Sequence, residues 1–112
     1  MVSDMSFTMN IYYKGQNGNA KKFANEMLSS GIVEEIRSKK GNLKYDYFEP
    51  LDDKETILLI DSWEDQESLN RHHKSDTMNK IIKLRDKYDL HMKVEKYIID
   101  DSNSQDEKYI RN

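Results

Sequence analysis

The sequence predicts an α+β domain in βαββαβ order, with one four-stranded antiparallel sheet carrying its helices on one face. Three observations lead there. Residues 6–13 alternate as a strand does, with Phe7, Met9, Ile11 and Tyr13 on one face and Thr8, Asn10 and Tyr12 on the other. Apolar residues then switch to helical spacing in two separate stretches, one after the first strand and one after the third. Between the second and third strands only a short polar turn, residues 50–54, intervenes, which suits a hairpin.

After the first strand, residues 15–19 (GQNGN) form a turn cluster whose last residue, Asn19, is placed to cap a helix. Ala20, Phe23, Ala24, Met27 and Leu28 mark the apolar stripe of that helix. Leu28, Ile32 and Ile36 carry the stripe past Gly31, where a kink or brief break is expected. Basic Lys39 and Lys40 precede Gly41 and Asn42, a combination suited to a helix C-terminus. The second strand, 43–49, turns Leu43, Tyr45 and Tyr47 to one side and Phe48 to the other. Residues 56–63 make the third. Asp65 and Ser75 can each cap a following helix, and the later of these carries Met78, Ile81, Ile82, Arg85 and Tyr88 at helical spacing. A fourth strand is expected from about residue 90 to 99. The domain thus spans 1–100, and residues 101–112 form a polar tail, mobile or reaching a partner.

A sheet whose far face meets water alternates apolar-in with polar-out. The third strand does not: Ile57 and Leu59 occupy one face, Leu58 and Ile60 the other. Helices cover one side, and a second copy of the chain is the simplest cover for the other. The composition gives a motive for such pairing, because only 36% of the 112 residues are apolar while 35% are charged.

Charge and composition exclude several classes. A net charge of −3 argues against a nucleic-acid binder, and the third strand lacks the basic-aromatic pattern of RNA-recognition domains. The absence of cysteine rules out disulfides, a thiolate nucleophile and thiolate-held metals. The longest aliphatic run, residues 57–60, is far too short to span a membrane, and no export signal is evident. A cytoplasmic protein is expected.

The segment LIDSWEDQESLNRHHKS, residues 59–75, carries most of the chemical information. Leu69, His72 and His73 stand at i, i+3 and i+4, so both imidazoles share a helix flank with a core leucine. One histidine packed at the helix edge with the other in solvent is one reading; an imidazole lining a ligand pocket is the other. A metal site is disfavoured, because no HxxxH or HExxH spacing exists and His91 falls on a distant strand. Trp63 closes the third strand and suits either core packing or an aromatic wall. Asn10 is an amide amid apolar neighbours, costly to bury unpaired, so it faces a polar cavity or bonds a neighbour. Tyr12, Tyr45, Tyr47 and Tyr97 are candidates for an aromatic floor. Asp61 and Glu64 project in different directions and do not form a paired-carboxylate site.

The stretches GNLKYDYF and ILLIDSWEDQESLNRHHKSDTM resemble the antibiotic biosynthesis monooxygenase family, which includes quinol monooxygenases. The shared pattern falls on Gly41, Asn42, Tyr45, Asp61, Trp63, Leu69, His72, Ser75 and Met78. The resemblance implies ferredoxin-like subunits paired through their sheet faces as a dimeric α/β barrel. It implies a cofactor-independent monooxygenase, oxidising a small aromatic quinol- or anthrone-type substrate with O₂. The catalytic candidates are then His72 as base or proton shuttle, Asn10 as hydrogen-bond donor and Trp63 as aromatic wall. His73, Tyr12, Tyr45, Tyr47 and Met78 would line the substrate site. Where many members carry a second histidine this chain has Thr77, and where haem-degrading relatives hold iron it reads MNKII. The opposing expectation is a non-catalytic homodimer that binds or senses a small molecule.

Overall fold

Pairing of Phe7 with Trp63, Ile11 with Leu59 and Tyr13 with Ile57 fixes the centre of the sheet and decides which side chains face inward. These contacts come from a computed structural model that describes residues 5–99 and 108–111. The elements run β1 (Phe7–Lys14), α1 (Asn19–Ser29), α2 (Ile32–Arg37), β2 (Asn42–Phe48), β3 (Thr56–Trp63), α3 (Gln66–His73), α4 (Asp76–Lys87) and β4 (His91–Ile98). The strand order is β2-β3-β1-β4, with antiparallel pairing throughout. This is the ferredoxin-like α+β fold, and all helices pack on one face.

That face holds the core. Phe7, Met9, Ile11 and Tyr13 of β1 and Ile57, Leu59 and Trp63 of β3 are buried there. Against them α1 packs Ala20, Phe23, Ala24 and Met27, and α2 packs Ile32, Val33 and Ile36. Phe23 and Trp63 have no exposed surface, and burial of each contributes on the order of 2–3 kcal/mol. The helices leave β4 bare on its inner side: Met92, Val94 and Ile98 are 40%, 50% and 63% exposed. The site opens along that uncovered strand.

Three local expectations change. Gly18, in the left-handed region, occupies the N-cap of α1 without a side-chain bond, so Asn19 begins the helix instead of capping it. The Asn19 amide donates to the Tyr88 carbonyl, while the free N–H groups of Asn17 and Gly18 donate to the Glu55 carboxylate. Leu28 is exposed rather than in the stripe, because Gly31, at φ 85°, separates α1 from α2 and restarts the helical phase. Leu43 also turns outward, because the β2–β3 register shifts between Asn42 and Lys44. No helix among the described residues is long and apolar enough to cross a membrane. The polar tail expected beyond residue 100 lies outside the described residues except for 108–111, which are exposed.

Candidate active site

The last turn of β3 and the start of α3 set the chemistry. Period-two alternation turns Leu59, Asp61 and Trp63 to the helix side, and the register puts Met9 and Tyr45 on either side of Asp61. The chain then reverses into α3, whose N-terminus is capped by Asp65 accepting from the Ser68 N–H at 2.8 Å. A backbone bond from Glu64 N–H to the Gly41 carbonyl, 2.8 Å, ties this reversal to the entry of β2. Gly41 sits at φ 90°, and a Cβ there would collide with the Ser68 side chain. The closeness of these two segments fixes the roll of α3. Leu69 and His72 are thereby buried, and His73 is left at the rim.

The His72 ring stacks on Trp63 with centroids 5.1 Å apart and planes 25° from parallel. In front of this pair lies a hollow of about 190 Å³, bounded by the sheet and by α3 and α4. Asp61, Tyr45 and Tyr13 line its sheet side, His72 and Met78 its helix side, and Met92 its mouth. A larger depression of about 490 Å³ lies on the opposite face, lined by Tyr12, Lys14, Asp53, His91 and Lys93. The buried residue lining that depression is Thr56, whose hydroxyl does not titrate, so its size does not make it the chemical site.

Within the hollow the environment pushes two titratable groups apart. Burial raises the Asp61 carboxyl to about 7, while the neighbouring Trp63 indole N–H acts the other way. Asp61 Oδ1, Trp63 Nε1 and the Tyr47 hydroxyl are buried without a hydrogen-bond partner among the described residues. Burial lowers His72 to about 4, helped by the Lys39 ammonium and by His73. Lys39 Nζ lies 3.1 Å from His72 Nδ1 and donates to Ser75 Oγ at 2.7 Å. Burial also holds the Tyr13 and Tyr45 phenols above their usual range, so both stay protonated at neutral pH. The arrangement offers one carboxyl poised near neutrality, one neutral imidazole and an apolar, aromatic surround.

The residues expected from the sequence divide into three groups. His72, His73, Tyr45 and Met78 line the hollow together. Trp63 and Tyr47 stand behind it, Trp63 under His72 and Tyr47 edge-on to Tyr45 at 5.8 Å. Asn10 and Tyr12 are corrections. They pair with Ile60 and Leu58 on the opposite face of the sheet, so neither reaches the hollow. Burial and the ammonium beside Nδ1 both disfavour a second proton on His72, which bears on its expected role as base or proton shuttle. The sequence reading missed Lys39, whose side chain folds back from the end of α2, and gave no role to Asp61. Strict alternation in β3 places Asp61 in phase with Leu59 and Trp63, and a carboxyl on an apolar face is the signal that was available.

A ferredoxin-like sheet with an aromatic-lined hollow beneath α3 and α4, open along β4, defines the architectural class. The comparisons narrow the class. The family model for antibiotic biosynthesis monooxygenases matches residues 6–84, well over half the chain, and the protein belongs to that family. It is 25% identical over 67 residues to "Putative monooxygenase YcnE" of Bacillus subtilis, covering 60% of this chain and 68% of that one. The fold is also that of PA3566 from Pseudomonas aeruginosa, with TM-score 0.74, 19% identity, and 88% and 98% of the two chains covered. A "putative antibiotic biosynthesis monooxygenase" from Caulobacter crescentus CB15 gives TM-score 0.77 at 12% identity, covering 88% and 93%.

Proposed function

We propose that the protein is a monooxygenase that oxidises a small hydroxylated aromatic compound with O₂ and uses no metal, flavin or haem. The observation that carries this reading is Asp61, a buried carboxyl raised to about 7 with an unpartnered oxygen, lining an aromatic hollow beside neutral His72. A phenolic hydroxyl entering the hollow gives its proton to Asp61, and the anion left behind is a strong enough reductant to pass an electron to O₂. The resulting radical pair joins at the activated carbon, which carries two hydrogens in the keto tautomer, and forms a peroxide. Loss of water from the peroxide leaves a carbonyl. One oxygen atom enters the product, the other leaves as water, and the substrate supplies both electrons through its C–H bonds. The His72 N–H stabilises charge on oxygen, and Trp63 fixes the plane of the imidazole.

Size favours a quinol over an anthrone. An apolar cavity of about 150 Å³ holds benzene, so a hollow of about 190 Å³ takes one substituted ring, with a second ring protruding past Met92. Three fused rings would leave two of them outside it. The uncovered sheet face supports a homodimer: Leu58, Ile60 and Tyr12 lie along its centre, and Phe48 and Tyr97 flank them.

Oxygen consumption with a panel of one- and two-ring hydroquinones, in the presence of EDTA, tests the reading. Uptake should exceed autoxidation, rise with pH around an apparent midpoint near 7, and fall to background in Asp61→Asn. If no compound is consumed above its autoxidation rate while some bind, the protein is a binder and not an oxygenase.

A further inference from the structure

Around Lys39 the hydrogen bonds form a closed set that leaves little freedom in where protons sit. The Ser75 hydroxyl donates its proton to the His72 carbonyl at 2.6 Å. Its oxygen is therefore an acceptor toward both other neighbours, the Lys39 ammonium at 2.7 Å and the Met78 N–H at 3.4 Å. An ammonium has donors and no acceptor, so at His72 Nδ1, 3.1 Å away, it also donates. Nδ1 is then the bare nitrogen of the ring and the single proton of a neutral imidazole resides on Nε2.

Position adds the second half. His72 lines the hollow and also a separate cleft with Lys39, Lys40, Ser68 and Arg71 on the other side of the ring. The two nitrogens of an imidazole look in widely divergent directions, so a ring whose Nδ1 meets Lys39 turns Nε2 away from that cleft. The ring's hydrogen bond to Lys39 is made at Nδ1, which leaves Nε2 outside that bond. The stack on Trp63 holds the plane of the ring, and the Lys39 contact favours the orientation with Nδ1 toward the cleft.

We propose that Lys39 is a positioning residue: by donating to Nδ1 it fixes His72 as the Nε2–H tautomer, so that the ring presents a hydrogen-bond donor to a developing oxygen anion in the hollow. This rests on the oxygenase reading for its consequence, but not for its test. A cation at Nδ1 also opposes a second proton on the ring, which keeps the imidazole an uncharged donor while Asp61 takes the proton. The groups facing this cluster are Glu35 of α2 and Lys80 of α4, which act on Lys39 in opposite senses, and His73 of α3, which acts on His72. Burial lowers Lys39 from its usual value. The Glu35 carboxylate, held by Thr77 and Lys80, supports its charge.

Long-range ¹H–¹⁵N NMR of the full chain, labelled at histidine nitrogens and free of substrate, reads the tautomer directly. The wild-type spectrum should show His72 protonated at Nε2 alone and uncharged down to pH 5.5. In Lys39→Met the ring should become a tautomer mixture, and its proton affinity should rise at least about tenfold. Lys39→Arg, which keeps a charged donor, should restore the wild-type pattern. A wild-type ring with its proton on Nδ1, or a Lys39→Met spectrum identical to wild type, overturns the proposal. Because no turnover is needed, this result is independent of whether any quinol is oxidised. If one is, Lys39→Met should lower kcat on the order of tenfold with little change in KM, and Lys39→Arg should recover it.

Discussion

A carboxyl group sealed beneath apolar and aromatic side chains resists ionisation, and in Asp61 that resistance makes stability and chemistry pull in opposite directions. Its folded-state midpoint of about 7 lies above the value of about 3.9 expected in the unfolded chain. Between those limits the folded protein keeps a proton that the unfolded chain releases, so this residue's contribution is full below about pH 3.9 and is lost as pH rises through about 7. At pH 8 the penalty reaches up to roughly 4 kcal/mol. Asp61→Asn removes it, less what an unpaired amide N–H₂ costs, so the inactive variant should be the more stable one at pH 8. Urea titrations of both proteins at pH 5 and pH 8 check this, and a gap that does not widen with pH refutes it. At this scale much of the site was legible. His72, Tyr45 and Trp63 follow from periodicity and motif together. Asp61 was visible in the alternation but was weighed only as one half of a carboxylate pair with Glu64, and one of a pair that does not converge carries no signal of its own. Lys39 was not legible, because a long side chain at a helix end reaches its partner through tertiary approach, 33 positions along the chain from His72.

Elements carry these residues to one place, and the junction between β2 and α3 carries most. The α2–β2 turn must pass so close to the first turn of α3 that only glycine fits at Gly41, where φ is 90° and a Cβ would overlap Ser68. Gly41→Ala adds left-handed strain of about 1–2 kcal/mol and an overpacking cost of about 1–3 kcal/mol. The expected loss is therefore about 2–5 kcal/mol by urea unfolding at neutral pH, with residual activity falling further than the folded fraction because α3 and His72 shift together. A loss below about 1 kcal/mol would mean the two segments separate without effect. Most elements could be read from sequence, since alternation marks β1, helical stripes mark α1 and α4, and Asp65 and Ser75 cap α3 and α4 as expected. The errors came where backbone geometry overrides pattern. Leu28 lost its place to the break at Gly31, Leu43 to the register shift in β2, and Asn19 its capping role to a left-handed Gly18.

At the scale of the whole molecule the uncovered sheet face is the surface on which the proposed homodimer rests. Its two central strands present Tyr12, Leu58 and Ile60, with the Thr8 and Ser62 hydroxyls bonded to each other at 2.7 Å. Charge lies around this centre, with Lys44 and Asp46 on β2, Lys93 and Glu95 on β4, and Lys14 at the end of β1. An apolar centre inside a charged rim is how protein interfaces are built. Asn10 lies in that centre, opposite Ile60 and Glu95, where a partner's polar atom would relieve an amide that the hollow does not use. Four strands spaced about 4.8 Å apart, each eight residues of about 3.3 Å or slightly fewer, give a flat face of roughly 500 Å². Side-chain relief raises the accessible area toward the roughly 800 Å² per partner of a stable complex. Sedimentation at micromolar concentration should therefore report twice the 13.3 kDa chain mass. Ile60→Lys, which places an unpaired charge at the centre of the face without touching the core on the other side, should give a folded monomer by the same measurement. A wild-type protein that sediments as one chain, or an Ile60→Lys variant that still pairs, shows that the copies do not meet through this face.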